Sequence, residues 1–193
     1  MAQKEEIVSR ALVMLGANPI SSFAEGTEGE LATLLYETTY RAMLSDYPWR
    51  FAIKKQKLGR LEEQPLNSWE YQFQLPTDII VVFNVDNQRN YEIYEDKLYA
   101  NIRDIEIDYI SRIDETLLPS HFEKALEYEL ASQFAVPLTD NSQRATYYAQ
   151  RAEDSLRRAR RIDSQSRPSV PIQNNVLLSR SRVGGPFFFR GAF

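Results

Sequence analysis

The chain has 193 residues, 43% of them hydrophobic and 26% charged, enough for one domain with a real core or a core carrying a small insertion, and unlike either a disordered chain or a disulfide scaffold. No cysteine is present and the single histidine is His121, which excludes thiolate metal sites, iron–sulfur clusters, cysteine nucleophiles and two-imidazole zinc sites of the HExxH kind. The formal charge of -4 hides a gradient, since residues 1–150 carry 14 basic and 24 acidic side chains while 151–193 carry 9 and 3, so the two ends of the chain suit different neighbours.

Ile7, Val8, Ala11, Leu12 and Leu15 share one helical face before Gly16 and Pro19, so the first helix is expected over 4–15. Thr27 and Glu30 have capping-box spacing, and Leu31, Leu34, Leu35, Thr38, Ala42 and Met43 continue as a stripe towards Pro48. That predicts a second helix over 27–46. Tyr36 and Tyr40, like Tyr147 later in the chain, fall off these stripes and are expected at an interface between subunits, because amphipathic aromatics serve as interface anchors. Replacing Tyr40 and Tyr147 by alanine is then expected to spare the fold.

The apolar period changes from 3.6 to 2 in the middle of the chain. Trp69, Tyr71, Phe73 and Leu75 alternate with polar residues up to Pro76, and the run 79–85 reads as a strand buried on both faces. Residues 91–94 and 97–100 flank Glu95-Asp96 as a hairpin, and Ile105, Ile107 and Tyr109 alternate again. The expectation is a mostly antiparallel β-domain over 50–113.

Helical spacing returns at Ser120 and Glu123, a second capping box, and Phe122, Leu126, Leu130 and Phe134 repeat until Pro137. Asp140 or Asn141 can cap a last helix with Ala145, Tyr148, Ala152, Leu156 and Ala159 inward, reaching about Ile162. The fold class is therefore α+β: a four-helix bundle from 1–49 and 114–163, an inserted β-domain, and an extended C-terminal arm over 164–193.

Chemistry-bearing patterns are sparse. The carboxylates Asp78, Asp86, Asp96, Asp104, Glu106 and Asp108 invite a glycan-hydrolase reading, which needs two positioned acids, yet so acidic a segment scatters them that densely by chance. His121 beside Ser120 reads as a surface residue next to a cap, and no GxxxxGK[ST] or GxGxxG loop is present. No cofactor is expected, and no enzyme. Arg157, Arg158, Arg160 and Arg161 suggest a nucleic-acid-binding module, but Glu153 and Asp154 stand four residues earlier, as on an exposed or subunit-facing helix. No stretch approaches the roughly 20 apolar residues of a bilayer span, and the start of the chain is charged, so a soluble protein without a membrane partner is expected.

The ending Phe187-Phe188-Phe189-Arg190-Gly191-Ala192-Phe193 is the strongest oddity. Phenylalanines shown to water are an aggregation hazard, so these residues are expected to dock on a hydrophobic groove of a partner or a neighbouring subunit, with Arg180 and Arg182 steering towards an acidic surface. Deleting 180–193 is then expected to spare the fold and release such a partner. A single Arg-Gly dipeptide supports an RNA-binding tail less well.

Several stretches together resemble one family. Leu15-Gly16-Ala17-Asn18-Pro19-Ile20, Glu25-Gly26-Thr27-Glu28, and Tyr40-Arg41 leading to Pro48-Trp49-Arg50-Phe51-Ala52-Ile53-Lys54 resemble the opening of the head-to-tail adaptors of short-tailed bacteriophages, the tail tubular protein A family. The likeness continues through 69–78, the strand at 107–113 and Val136-Pro137-Leu138-Thr139, and covers roughly 4–165. It implies a structural virion protein at the head–tail junction, present in the host cytoplasm during assembly. It further implies a ring of twelve copies joining the portal protein to the tail nozzle protein and lining the DNA ejection channel. Double-stranded DNA would pass the lumen without specific binding, and part of the acidic excess is expected to face it.

Overall fold

The computed structural model describes residues 4–24, 26–66, 68–85 and 90–165. Among them are four α-helices, α1 (Lys4–Met14), α2 (Gly26–Ser45), α3 (Ser120–Thr139) and α4 (Ser142–Gln165). Between α2 and α3 lie six strands: β1 (Ile53–Lys57), β2 (Tyr71–Gln74), β3 (Ile79–Val85), β4 (Glu92–Tyr94), β5 (Lys97–Ala100) and β6 (Glu106–Ser111). The protein is thus α+β, with two antiparallel three-stranded sheets ordered β1-β6-β3 and β2-β5-β4.

Helix α1 ends as its sequence signals: Gly16 takes φ +79, and Ala17 N–H reaches back to the Leu12 carbonyl at 3.1 Å. Gly29 in α2 lies so close to the Phe23 carbonyl that an added Cβ would sit 2.6 Å from that oxygen. Helix α3 does not stop at Pro137. The proline lies inside its last turn, and the helix ends at Asp140, which takes φ 50 and donates its N–H to the Val136 carbonyl. No side-chain cap forms at Ser120, because the N-cap position falls on Pro119. Asn141 does cap α4, accepting from the Arg144 amide at 3.0 Å.

Helix α3 is the hub. Helices α1, α2 and α4 all pack on it, α4 most extensively. Phe122, Leu126, Leu130 and Phe134 line its buried side. Phe122 receives the edges of three rings, Tyr40, Trp49 and Phe51, with centroids 6.2, 5.0 and 5.1 Å away. Trp49 is fully buried and satisfies its indole N–H on the Met43 carbonyl at 2.8 Å.

The interior face of α2 differs from the expected stripe. Ala32, Tyr36, Thr39, Tyr40 and Met43 turn inward, whereas Leu34 is 73% exposed and Thr38 and Ala42 face solvent. Tyr36 and Tyr40, only 3% and 0% exposed, are therefore corrected from interface anchors to core residues of the protomer. The reason is that each hydroxyl finds a buried acceptor: Tyr36 donates to Glu115 at 3.1 Å and Tyr40 to the Ile113 carbonyl at 3.0 Å. Tyr147 is 51% exposed.

A second apolar cluster lies between the sheets. Phe73, Leu98 and Ala100 from one face Ile107 and Tyr109 from the other, while Ile110, on the opposite face of β6, joins the helical core. Strand β3 is not buried on both faces as expected. It is an edge strand with Val81 and Phe83 exposed. Strand β1 went unread because four of its five residues are polar; Lys54, Lys55 and Lys57 hold it beside Asp78, Asp108 and Asp104 at 2.6, 3.4 and 2.7 Å. Such lysines guard an edge against foreign strands.

Placing Tyr40 in the core has a measurable consequence. Tyr40→Ala is expected to cost about 3–5 kcal/mol, the range for emptying a buried aromatic site, whereas Tyr147→Ala stays within about 0.5 kcal/mol. Urea titration checks both. A Tyr40→Ala protein as stable as wild type would return that residue to the surface.

Candidate interaction surfaces

Where β6 returns to the helices, Arg112 enters a pocket of carboxylates. Its guanidinium donates to Glu115 at 2.7 and 3.3 Å and to Glu37 of α2 at 3.1 and 3.3 Å, and it lies 4.6 Å over the Tyr40 ring. The Ile113 carbonyl accepts from it as well. Burial opposes the Arg112 charge, but Glu115 and Glu37 outweigh burial and raise its pKa. Burial likewise favours the neutral Glu37 carboxyl, and Arg112 and Arg41 overcome it, so that pKa falls below the usual value. Around Tyr36 burial acts first and the Glu115 charge second, both pushing the phenol up.

A second tie closes the other end of the helical unit. Asp163, in the last turn of α4 and 6% exposed, accepts the Arg50 amide on both carboxylate oxygens at 3.2 and 3.3 Å. This satisfies the first amide of the 3-10 turn Arg50–Ala52 that leads into β1. Burial raises the Asp163 pKa, opposed by the Arg50 amide and charge and by His121. His121 is half-buried at the start of α3, and its Nε2 has no hydrogen-bond partner among the described residues.

The arginine run of α4 divides into two sets. Arg157 is engaged by Glu153 and Asp154 at 3.1 and 3.4 Å, while Arg160 pairs with Asp46 and lies 5.8 Å over Tyr47. Arg158 and Arg161 are exposed and make no ion pair with any described residue. Along the seam of α3 and α4 runs a ladder of rings and cations. Lys124 lies over Tyr128, Tyr128 stacks on Tyr148, Tyr148 meets Tyr147 edge-on, and Arg151 lies over Tyr147 while donating to its hydroxyl at 3.2 Å. Tyr148 in turn donates to the Met14 carbonyl at 2.6 Å, so α1 braces the ladder.

The carboxylates read from the β segment do not converge. Asp78, Asp104 and Asp108 hold β1 lysines, and Asp96 accepts from Gln74 at 2.8 Å. Glu106 is exposed. Asp86 lies outside the described residues, as do Arg180, Arg182, Phe187, Phe188, Phe189, Arg190 and Phe193. Among the described residues no group of three or more His, Cys, Asp or Glu could hold a metal ion, and no helix is long and apolar enough to cross a membrane. The outward face of the second sheet is aromatic and acidic. Tyr94 and Tyr99 meet edge to face at 5.8 Å, and Trp69 donates to Glu92 at 2.8 Å.

Of the three tyrosines expected at an interface, only Tyr147 reaches a surface, and it is joined there by Tyr148 of the inward stripe and by Arg151, which the sequence did not single out. Arg112 and Asp163 were also missed. The signal available for Arg112 was a lone arginine between Ile110 and Ile113, just past the end of an apolar strand, a position where a cation requires acidic partners. The chain matches no family model and shows no significant match to a curated protein.

Removing the Arg112 guanidinium leaves Glu115, 4% exposed, with only the Tyr36 hydroxyl at 3.1 Å and the Lys4 ammonium at 3.8 Å to compensate its charge. Arg112→Ala is expected to cost about 3 kcal/mol or more, and Arg112→Met with Glu115→Gln to regain much of it. Equal stability of the single and double variants in urea would rule out a charge-compensating role.

The raised Asp163 pKa sets an opposite pH trend from the depressed Glu37 and Asp78. Glu37 and Asp78 contribute stability above their ordinary pKa that is lost as pH falls through their folded values. Asp163 takes up its proton earlier in the folded state, so its ionised form costs stability above that raised value. The stability of wild type relative to Asp163→Asn is therefore expected to rise as pH falls through the folded Asp163 pKa. A difference independent of pH would show an unperturbed carboxyl.

Proposed function

We propose that the protein is a head-to-tail adaptor of a short-tailed bacteriophage: a structural protein of the virion, about twelve copies forming a ring between the portal and the tail nozzle, through which DNA leaves the capsid. In this reading the helices are a four-helix bundle and the sheets are its inserted domain. The observation that carries the proposal is where the family-like residues fall. Tyr40-Arg41 and Pro48 to Lys54 occupy the passage from α2 through the 3-10 turn into β1, and Tyr40 and Trp49 pack on Phe122 there. The stretch at 107–113 is the return passage. Two of the family-like stretches thus lie at the crossings between helices and sheets, and in this reading those crossings bound the insertion.

The charge distribution supports the same reading. A conduit must let a duplex slide, and a surface offering many free cations would grip phosphates through counterion release. Residues 1–150 carry 24 acidic against 14 basic side chains, and β-strand lysines are drawn into ion pairs with acids. The residues Phe187 to Phe193, with Arg180 and Arg182, supply apolar rings and cations for the portal.

The full chain is expected to give a native mass of an oligomer near twelve protomers, and a negative-stain image of a ring with a central hole. A protein that stays monomeric both alone and with portal would refute the adaptor. Turnover of a capsular glycan, lost on a single carboxylate-to-amide change, would establish the hydrolase alternative.

A further inference from the structure

Tyr147 is held unusually firmly for a half-exposed side chain. Arg151 covers one side at 5.3 Å, and Tyr148 packs against it at 5.2 Å. On an ideal helix, residues 147, 151, 158 and 161 fall on one side, so Arg151 lies beside this ring and Arg158 and Arg161 continue the same face about 16 and 21 Å further along α4. Helix α4 packs chiefly on α3, and Arg151, Arg158 and Arg161 on this face are exposed. A rigid aromatic amid cations is the form of an interface anchor.

The outward face of the β2-β5-β4 sheet has the complementary character. It contains a recess of about 390 Å³ lined by Glu63, Leu66, Gln72, Lys97 and Tyr99. Leu66 is fully exposed beside it. Segments 61–66, 68–72 and 90–101, which build this region, contain six acidic residues and one basic, Lys97. One side of the chain thus offers an aromatic knob followed by arginines, and another offers a recess in which Leu66 and Tyr99 stand among Glu63, Gln64, Gln72 and Lys97, within a mostly acidic surround.

We propose that these two faces meet between copies: Tyr147 of one protomer enters the recess of the next, with Arg151, Arg158 and Arg161 against its acidic surround. The contact joins unlike surfaces, so it is heterologous and can repeat around a closed ring. It deepens the adaptor reading and rests on it. Nucleic acid is the weaker partner for this face, because a phosphate backbone would leave the braced Tyr147 ring without an apolar seat.

Charge reversal tests the pairing in the full chain. Arg158→Glu with Arg161→Glu, and separately Glu62→Lys with Glu95→Lys, place like charges opposite each other. Each variant is expected to raise the concentration for half-assembly tenfold or more, with circular dichroism and melting temperature unchanged. Mixing the two variants in equal amounts makes every contact complementary again, since each copy then alternates with the other. Native mass is expected to recover as rings with an even number of copies. If both variants form rings as wild type does, or if the mixture does not recover, this pairing is wrong while the ring itself stands. If wild type forms no ring alone or with portal, both readings fall. Tight binding of a 24-base-pair duplex, lost in Arg158→Glu with Arg161→Glu while rings persist, would assign the face to nucleic acid instead.

Discussion

The Arg112 guanidinium fixes how the two halves of this protein meet. It leaves the sheet on β6, reaches α2 through Glu37, turns back to Glu115 ahead of α3, and lies on Tyr40 of the helical core. Burying so much charge is favourable only when every partner is present, because a carboxylate in the interior costs several kcal/mol if left alone. Lys4 adds a fourth element, its ammonium 3.8 Å from Glu115. The Arg112 cation thus gathers two carboxylates, a phenol ring and a carbonyl, and the Tyr36–Glu115 and Tyr40–Ile113 hydrogen bonds reinforce the same junction.

Around that point the packing is aromatic. Phe122 near the start of α3 gathers Tyr40, Trp49 and Phe51, which come from α2, from the loop after it and from the turn into β1. Edge-on rings set angle as well as distance, so this cluster orients the passage into the sheet. Asp163 adds a polar tie from α4 to the same turn. The beginning of β1 is consequently specified twice, by rings on one side and by a carboxylate on the other.

Much of the secondary structure was legible in the sequence, and the lapses have physical causes. The inward stripe of α4 and the hairpin turning at Glu95, with its φ of 54, follow their periods. Helix α2 was misread because leucine was taken as the core residue, while the interior instead accommodates tyrosine hydroxyls through acceptors contributed at Ile113 and Glu115, more than 70 residues away. No local pattern reports such a partner. Strand β1 lacks apolar alternation because it lies at an edge and is held by cross-strand charges. Pro137 was read as a stop, although a proline in the last turn forgoes only one backbone bond before the left-handed Asp140 ends the helix. Of the candidate surface residues, Tyr147 was found from its place off the stripe, whereas its bracing by Arg151 and Tyr148 depended on how α1, α3 and α4 come together.

The two passages between helices and sheet are themselves hydrogen-bonded neighbours, with Ile53 opposite Ile110 in the β1–β6 pair and Ser111 Oγ donating to the Ala52 carbonyl at 3.3 Å. A single connecting strand would act as a swivel. Two strands side by side remove that rotation, and any pull between the helices and the sheet divides over both. The β segment is therefore attached as a strap rather than a tether, a form of joint that transmits torque.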